Sequence, residues 1–254
     1  MPQTAPAGVP QITLPATDDM VFAIGDVHGC YDLYRQLEQK LADMAAQAGR
    51  RALVIILGDF IDRGPQSAQM LDHLIAPPPP HMTRIALMGN HEDMFVSFLR
   101  NPRPDHPWLD FGGLETLHSY GIGAGQNGLP QGRKLRQCLA ANIAQDHMDF
   151  LANLPLAVHL PGLMFAHAGA NGARAPRSQR RQDLLWGNGA GLDSAPLPVL
   201  VVHGHTPTPD SRPYVTPARV NIDTGAYASG ILTALELNDL SNLRFIVAQA
   251  GQVS

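Results

Sequence analysis

The first hundred residues alternate between short apolar runs and amphipathic stretches. The apolar runs are residues 20–24, 52–57 and 85–88. Between and after them, apolar positions recur with helical spacing in residues 31–44, 66–75 and 93–99. The run 52–57 is continuous in Leu, Val and Ile, as in strands covered on both faces. The order strand, helix, strand, helix, strand, helix predicts a parallel sheet with helices packed against it.

The second half of the chain has a different pattern. From residue 154 onward, short apolar runs follow one another as strands at residues 156–160, 163–166, 199–202, 219–222, 231–237 and 243–248. This succession predicts a second, mixed or antiparallel sheet that packs on the first. Residues 101–145 are rich in Pro, Gly and polar residues, and we expect a cap or rim there. We expect a single domain over residues 19–254 and a flexible tail over residues 1–18.

Composition narrows the class of protein. The chain has 254 residues, of which 44% are hydrophobic, enough for a substantial core. A formal charge of -4 and a pI near 6.2 give no global basic field, which argues against a nucleic-acid partner. Cys30 and Cys138 are expected to be reduced thiols. Because we find neither a secretory signal pattern nor an apolar stretch long enough for a bilayer, we expect a cytoplasmic protein without a membrane partner.

Polar side chains follow five of the predicted strands, at the point where each strand ends. They are Asp26 and His28, Asp59, Asn90 and His91, His167, and His205. Ligands bind beyond the carboxyl ends of strands in open α/β folds, so we expect these side chains to meet. Carboxylate, imidazole and amide oxygen ligands without a thiolate suit Mn, Fe or Zn at a site that is not a structural zinc site. Two such ions, typically about 3.5–4 Å apart, can share a hydroxide and hold phosphate oxygens for in-line attack.

Five motifs at these positions carry a family resemblance. The sequence has GDVHG at residues 25–29, GDFIDRG at 58–64, GNHE at 89–92, HAG at 167–169 and GH at 204–205. In this order they resemble the phosphoprotein phosphatase (PPP) superfamily of binuclear metallophosphoesterases, over residues 20–237. Residues 112–121 also resemble its bacterial branch, which includes serine/threonine protein phosphatases and symmetrical diadenosine tetraphosphate hydrolases. The resemblance implies a two-sheet α/β/β/α sandwich of the calcineurin-like metallophosphoesterase type.

The resemblance also implies a set of metal ligands. Asp59 would bridge two divalent ions, with Mn²⁺ expected first and Fe or Zn as alternatives. Asp26 and His28 would bind one ion. The ligands of the other ion would be Asn90, His167 and His205.

Three further residues would act on the phosphate. The resemblance makes His91 the general acid that protonates the leaving oxygen. Asp62 would hold the imidazolium of His91 and raise its pKa. Arg63 would bind two phosphate oxygens through its planar guanidinium.

Several nearby residues have competing interpretations. His203 shares a strand-end face with His205, and only the GH-T pattern of the family favours His205 as the ligand. Glu92 completes the GNHE motif, but we expect it to be a carboxylate at a helix start rather than a ligand. The side chains expected to serve in packing, and not as substrate platforms, are Trp108, Trp186 and Tyr120.

The chain departs from the family pattern at two points. Bacterial members commonly have Leu-Leu-Trp-x-Arg, whereas residues 184–188 place Asn188 where that arginine would bind phosphate. The segment after residues 167–169 also lacks the arginine often found there. The arginines from which a replacement could reach the site are Arg174, Arg177, Arg180 and Arg181. We therefore expect an active enzyme with a relaxed or unusual substrate choice.

These observations predict a phosphoesterase that hydrolyses phosphate monoesters by attack of a metal-bridging hydroxide. The first expectation is a serine/threonine protein phosphatase-like enzyme, also able to act on tyrosine, with a phosphorylated protein or small phosphate ester as substrate. The alternative is a bis(5'-nucleosyl)-tetraphosphate hydrolase. A third hypothesis, suggested by Asn188, is a noncatalytic phosphate or nucleotide sensor. The intact ligands and the intact His91 and Asp62 pair argue against the sensor.

Overall fold

A computed structural model describes residues 9–123 and 128–251. It contains two β-sheets. The strands are β1 Gln11–Thr13, β2 Met20–Ile24, β3 Ala52–Ile56, β4 Met82–Ala86, β5 Ala157–Leu160, β6 Leu163–Ala166, β7 Leu200–His203, β8 Tyr214–Val215, β9 Arg219–Asn221, β10 Ile231–Glu236 and β11 Arg244–Gln249. The α-helices are α1 Tyr31–Gln47, α2 Ser67–Ile75, α3 Asn90–Arg100, α4 Gly113–Ser119, α5 Gly132–Asn142, α6 Gln145–Ala152, α7 Arg181–Trp186 and α8 Ala226–Ser229. This mixed α/β arrangement with two sheets confirms the predicted fold class.

The five-stranded sheet has the order β11-β10-β2-β3-β4, and β2, β3 and β4 are parallel as predicted. The six-stranded sheet has the order β1-β5-β6-β7-β9-β8 and mixes parallel and antiparallel pairs. Side chains alternate along β2. Phe22 and Ile24 pack into the cluster with the helices, while Val21 and Ala23 pack against Phe165 of the other sheet. This alternation explains how one strand serves two packed layers.

The expectation that all later strands belong to the second sheet is wrong for β10 and β11. β10 pairs antiparallel with β2, with Ala234 opposite Ile24, and β11 pairs with β10. β10 thereby covers the edge of β2 that would otherwise be unpaired. Its residues are buried on both faces, because Leu232 joins the cluster on the helix side and Leu235 the cluster between the sheets.

The segment expected to be a tail is structured in part. Gln11–Thr13 forms β1, which pairs in parallel with β5 through Ile12 and Val158. This pairing covers the edge of β5. Residues 1–8 of the predicted tail and residues 124–127 of the predicted rim lie outside the described residues. Within the described ranges, every helix is too short or too polar for a span of a lipid bilayer.

Helix α3 begins three residues earlier than the hydrophobic spacing indicates. Asn90 is its first residue, so Asn90 and His91 lie in the first helical turn. The carboxylate of Glu92 accepts a hydrogen bond from the backbone N–H of Gly89 at 2.8 Å, which caps the helix. The helix start therefore positions two of the predicted site residues directly.

Candidate functional site

The candidate site lies where strand ends of the two sheets meet. The loops that follow β2, β3, β6 and β7, together with the first turn of α3, carry all nine predicted residues. Five of them have left-handed backbone conformations, with φ of 46° at His28, 48° at Asp59, 70° at Asp62, 67° at Arg63 and 72° at His205. Such conformations cost about 1–3 kcal/mol each in residues other than glycine. The fold thus holds strained backbone at the point where the polar side chains converge.

Asp59 occupies the centre of the cluster. Its Oδ1 lies 3.4 Å from Nε2 of His167, and its Oδ2 lies 3.7 Å from Nε2 of His28. The Asp59 side chain is almost completely buried. Each carboxylate oxygen therefore faces a different group of nitrogen ligands, as required of a carboxylate that bridges two ions.

A second group of atoms converges on one point. Oδ1 of Asn90 lies 2.8 Å from Nε2 of His167 and 2.9 Å from Nδ1 of His205, and the two histidine nitrogens are 3.0 Å apart. These three atoms belong to residues far apart in sequence, yet all point to the same position. The structure therefore brings together the three residues predicted to bind one ion.

Hydrogen bonds fix the tautomers of two of the histidines. Nδ1 of His28 lies 3.0 Å from the carbonyl oxygen of Ile61, and Nδ1 of His167 lies 3.0 Å from that of Leu57. A carbonyl only accepts, so each Nδ1 carries the hydrogen and each Nε2 directs a lone pair into the site. Burial lowers the pKa of His28 to about 3 and that of His205 to about 4. Neutral imidazoles are the form that binds a cation.

Asp26 joins the cluster from β2. Its carboxylate accepts a hydrogen bond from the backbone N–H of His205, with the Oδ2 distance at 3.0 Å. Burial, followed by the charges of Asp223 and Asp59, raises the pKa of Asp26 well above its ordinary value. A cation among these buried carboxylates would offset their mutual repulsion.

Sequence reasoning missed Asp223. This residue follows β9, and its side chain is buried with an Oδ2 that makes no hydrogen bond. Burial raises its pKa to about 6, and the charge of Asp59 adds to the shift. The rule that found the other residues, a polar side chain beyond a strand end, also applies to Asp223. It was missed because no family motif marked it.

His91 and Asp62 form a buried pair. Nδ1 of His91 donates to Oδ2 of Asp62 at 2.7 Å, and Trp108 Nε1 donates to the same oxygen at 2.7 Å. The hydroxyl of Thr116 donates to Oδ1 at 2.6 Å. Burial alone lowers the pKa of His91, but the charges of Asp59 and Asp62 and the hydrogen bond to Asp62 raise it by more. The imidazole therefore retains its proton more strongly than a free histidine.

Arg63 lies beside His91. Its Nη2 is 3.3 Å from Nε2 of His91, and its guanidinium lies 4.5 Å from the ring centroid of Tyr227. The backbone N–H of Arg63 donates to the carbonyl of Gly112 at 3.2 Å, which ties this loop to the rim. A guanidinium in this position can contact a phosphate that binds next to His91.

The structure places His203 outside the cluster. Its Nδ1 donates to the carbonyl of Gly204 at 3.0 Å, and its Nε2 lies 3.2 Å from Nη1 of Arg219. Both ring nitrogens of His203 thus form hydrogen bonds outside the cluster. Glu92 also lies in a structural position, because its carboxylate accepts backbone N–H groups from Asp59 at 2.8 Å and Phe60 at 2.9 Å.

The loop that lacks the expected arginine is open. Asn188 is exposed, Arg174 pairs with Asp183 at 3.3 Å, and Arg181 pairs with Asp93 at 2.6 Å. Two of the four candidate replacement arginines are therefore engaged with carboxylates. The expected packing role fits Trp108, which is fully buried, but not Trp186, which is 39% exposed at the last residue of α7.

The ligands present fit a pair of divalent cations. Neutral imidazoles, carboxylates and one amide oxygen supply nitrogen and oxygen ligands, and the central carboxylate faces both groups. This set suits borderline transition-metal ions, as the residue types indicate. A site that holds cations beside Arg63 and His91 can bind and polarise an anionic substrate.

Comparison with known proteins agrees with this geometry. The sequence profile of the calcineurin-like phosphoesterase family matches residues 20–231. The chain is 29% identical over 244 residues to a protein of Anoxybacillus flavithermus named bis(5'-nucleosyl)-tetraphosphatase PrpE [asymmetrical], covering 87% of this chain and 91% of that protein. A relative of the same name from Geobacillus sp. is 27% identical over 244 residues, with the same coverage.

Solved structures share the fold. One described as a putative diadenosine tetraphosphatase superposes with a TM-score of 0.63 at 18% identity, covering 96% of this chain and 100% of that chain. A cold-active protein-tyrosine phosphatase of a psychrophilic Shewanella superposes with a TM-score of 0.59 at 19% identity, covering 94% and 83%. The chain belongs to the calcineurin-like phosphoesterase family and is a metallophosphoesterase, a hydrolase that uses divalent metal.

Proposed function

We propose that this enzyme hydrolyses bis(5'-nucleosyl) tetraphosphates by off-centre cleavage, which yields a nucleoside triphosphate and a nucleoside monophosphate. The name of the relatives supports this substrate, and the matches extend over most of both chains. They favour the alternative stated from the sequence over the protein phosphatase-like enzyme that was expected first. The asymmetrical cleavage in their names also differs from the symmetrical hydrolases that the motifs suggested.

One observation carries the reaction class. Asp59 faces two groups of nitrogen and oxygen ligands, Nε2 of His91 lies 3.8 Å from its Oδ2, and Arg63 lies beside His91. Phosphoryl transfer depends on positioning and on stabilisation of charge at the phosphate oxygens. An arrangement of two cations, a guanidinium and an acidic imidazole supplies both.

The residues that would hold the two divalent ions are Asp26, His28, Asp59, Asn90, His167 and His205. When bound, such ions stabilise charge on the phosphate oxygens and activate the attacking water. Arg63 binds an oxygen of the attacked phosphate. The water gives up one proton to solvent, and its oxygen forms the new bond to phosphorus as the bridging P–O bond breaks. His91 gives its proton to the leaving oxygen, and Asp62 keeps the imidazole oriented.

Product analysis tests the proposal. The protein supplied with Mn²⁺ is incubated with diadenosine tetraphosphate, and the nucleotides are separated by ion exchange. We expect equal amounts of ATP and AMP. Two equivalents of ADP would show symmetrical cleavage, and a higher kcat/KM on a phosphopeptide panel would show that a phosphoprotein is the better substrate. Asp59→Asn serves as the inactive control, and p-nitrophenyl phosphate with and without Mn²⁺ tests for turnover itself.

A further inference from the structure

Three exposed aromatic side chains surround the site. Phe111 is 47% exposed, Trp186 is 39% exposed and Tyr227 is 42% exposed. Phe95 and Trp108, by contrast, are fully buried in the core. Aromatic rings that stay in water forgo the free energy of burial, so a cluster of them beside a site indicates a binding surface. We call these three residues the aromatic rim.

Each ring of the aromatic rim lies beside a different site histidine. The ring centroids are 6.5 Å apart for Phe111 and His91, 6.3 Å for Trp186 and His205, and 5.2 Å for Tyr227 and His28. The interplanar angles are 80°, 82° and 82°. Three rings in contact with three ligand or acid histidines surround the place where the phosphate would bind.

The three rings come from separate parts of the chain. Phe111 ends the 3-10 helix Pro107–Phe111, Trp186 ends α7 and Tyr227 belongs to α8. Their proximity therefore does not result from an aromatic-rich stretch of sequence. Hydrolysis of a phosphate needs cations, a guanidinium and a proton donor, none of which an exposed phenyl or indole ring provides. Tyr227 of the aromatic rim packs against the guanidinium of Arg63, whereas Phe111 and Trp186 are free to contact a part of the substrate other than its phosphates.

A cavity begins at the residue that follows Trp186 in the chain. Its volume is about 310 Å³, and it is lined in part by Asn171, Asp183 and Asn188. Small residues line the rest, including Gly187 and Gly189. A flat apolar face next to amide and carboxylate groups matches a heterocyclic base, which has a π face and a polar edge.

We propose that the aromatic rim is the nucleobase subsite of this enzyme and that a base stacks on it, chiefly on Trp186 and Phe111. The inference rests on the proposed function, since it names how the nucleoside of that substrate is held. The rings contact the site histidines directly, so a stacked base lies within one nucleotide of the attacked phosphorus.

The test compares a substrate that has bases with one that has none. Trp186→Ala and Phe111→Ala are each assayed with Mn²⁺ on diadenosine tetraphosphate and on inorganic tetraphosphate. We expect KM for the dinucleotide to rise about tenfold, equivalent to about 1.4 kcal/mol, and kcat/KM for inorganic tetraphosphate to change less than about twofold. Trp186→Phe should restore most of the affinity, because it keeps an aromatic face. Tyr227 is left unchanged because its ring also supports Arg63.

Phe245→Ala is the matched control, since Phe245 is 37% exposed on β11 and lies outside the site. Equal losses on both substrates, or the same loss in Phe245→Ala, would show that the rings act only through structure and would overturn the proposal. The Tm of each variant shows whether it still folds. If a variant has a lowered Tm, the proposal is tested instead by the binding measurement on the wild type described next.

A binding measurement separates this proposal from the proposed reaction. The chain has two tryptophans and Trp108 is buried, so a surface quencher reports on Trp186. We expect AMP to quench the emission of the wild type saturably, and ribose 5-phosphate at the same concentration to leave it unchanged. Equal responses to both would contradict a base subsite. If AMP quenches but diadenosine tetraphosphate is not cleaved, the proposed function fails while the base subsite stands.

Discussion

At the scale of single residues, His91 has the most defined surroundings in the site. One ring nitrogen is held by Asp62, and the other faces Asp59 at 3.8 Å and Arg63. The first nitrogen fixes the ring, which leaves the second available to the substrate. This division of contacts is what a proton donor to a leaving group requires.

His91→Ala is expected to lower kcat by about 10²–10⁴-fold on alkyl phosphates, the range for loss of a general acid. The loss should be smaller on p-nitrophenyl phosphate and on a dinucleoside tetraphosphate, whose leaving groups need less protonation. Steady-state rates on the three substrates check this. Equal losses on all three would contradict the assignment of His91 as the acid.

Asn188 gives a second prediction. If an arginine is missing at this exposed position, Asn188→Arg should add a charged hydrogen bond to phosphate, worth about 1.5–3 kcal/mol. We expect KM to fall about tenfold or more for at least one phosphate substrate. Asn188→Gln serves as the control for side-chain length. An unchanged KM for every phosphate tried would show that this position does not contact substrate.

The sequence predicted which residues meet, because each motif follows a strand and strand ends converge. It did not separate His203 from His205, since side chains two residues apart share a face. The hydrogen bonds of His203 to Gly204 and Arg219 are what distinguish the two histidines, and the second depends on β9. The exposure of Trp186 was likewise hidden, because it depends on where α7 ends against the rest of the fold. The roles assigned to the site residues stay predictions.

At the scale of elements, Gly29 lets two site loops approach closely, and Gly49, which follows α1 outside the site, offers a comparison. Gly29 and Gly49 have nearly the same backbone, with φ of 62° and 64°. A Cβ on Gly29 would lie 2.6 Å from the carbonyl oxygen of Gly64, whereas one on Gly49 would meet nothing within 4 Å. A substitution at Gly49 therefore measures the free-energy cost of the backbone conformation alone, without a steric clash.

Gly49→Ala is expected to cost about 1–2 kcal/mol of unfolding free energy, the cost of a left-handed alanine. Gly29→Ala adds a clash between two backbone segments and should cost about 3 kcal/mol or more. Urea unfolding of both variants measures the difference. Similar costs for the two would mean that the loops with Gly29 and Gly64 separate easily.

Element prediction succeeded where local pattern and pairing agree. β2, β3 and β4 follow one another along the chain and also pair, so strand and helix alternation was sufficient. It failed for β10, which pairs with β2 more than two hundred residues earlier in sequence. Hydrophobic pattern identifies such a strand but carries no information about its neighbour. The three-residue strand β1 is too short to produce a pattern of its own.

At the scale of the whole molecule, a buried polar cluster ties helices α1 and α2 to β4. Glu38 accepts from Tyr34 at 2.7 Å and from Arg84 at 2.8 Å, and it lies 2.7 Å from Nε2 of His73. Burial alone raises the pKa of Glu38, but the bonds from His73 and Tyr34 and the charge of Arg84 lower it below its ordinary 4.5. The ionised carboxylate is therefore bound more favourably in the folded state than in the unfolded state.

Glu38→Gln should lower the free energy of unfolding at pH 7 by about 3 kcal/mol, since it leaves Arg84 without its charge partner. The contribution of Glu38 is fully present above the unfolded pKa near 4.5 and is lost as pH falls through the lower folded pKa. The difference in unfolding free energy between wild type and Glu38→Gln should thus become smaller below pH 4.5. Denaturant unfolding over pH 3–7 measures it, and a gap independent of pH would contradict this account.

The contact between Asp26 and the backbone of His205 joins positions 179 residues apart. Both cysteines are free thiols, so the chain has no covalent cross-link. Metal ions bound by ligands from both sheets would act as a cross-link. For comparison, a disulfide that closes a loop of about 100 residues stabilises a protein by about 4.7 kcal/mol. We expect Mn²⁺ to raise Tm, a chelator to reverse the rise, and Asp59→Asn to abolish it. A Tm independent of Mn²⁺ would contradict this linkage. If Mn²⁺ raises Tm as expected, the metal site also stabilises the packing of the two sheets against each other.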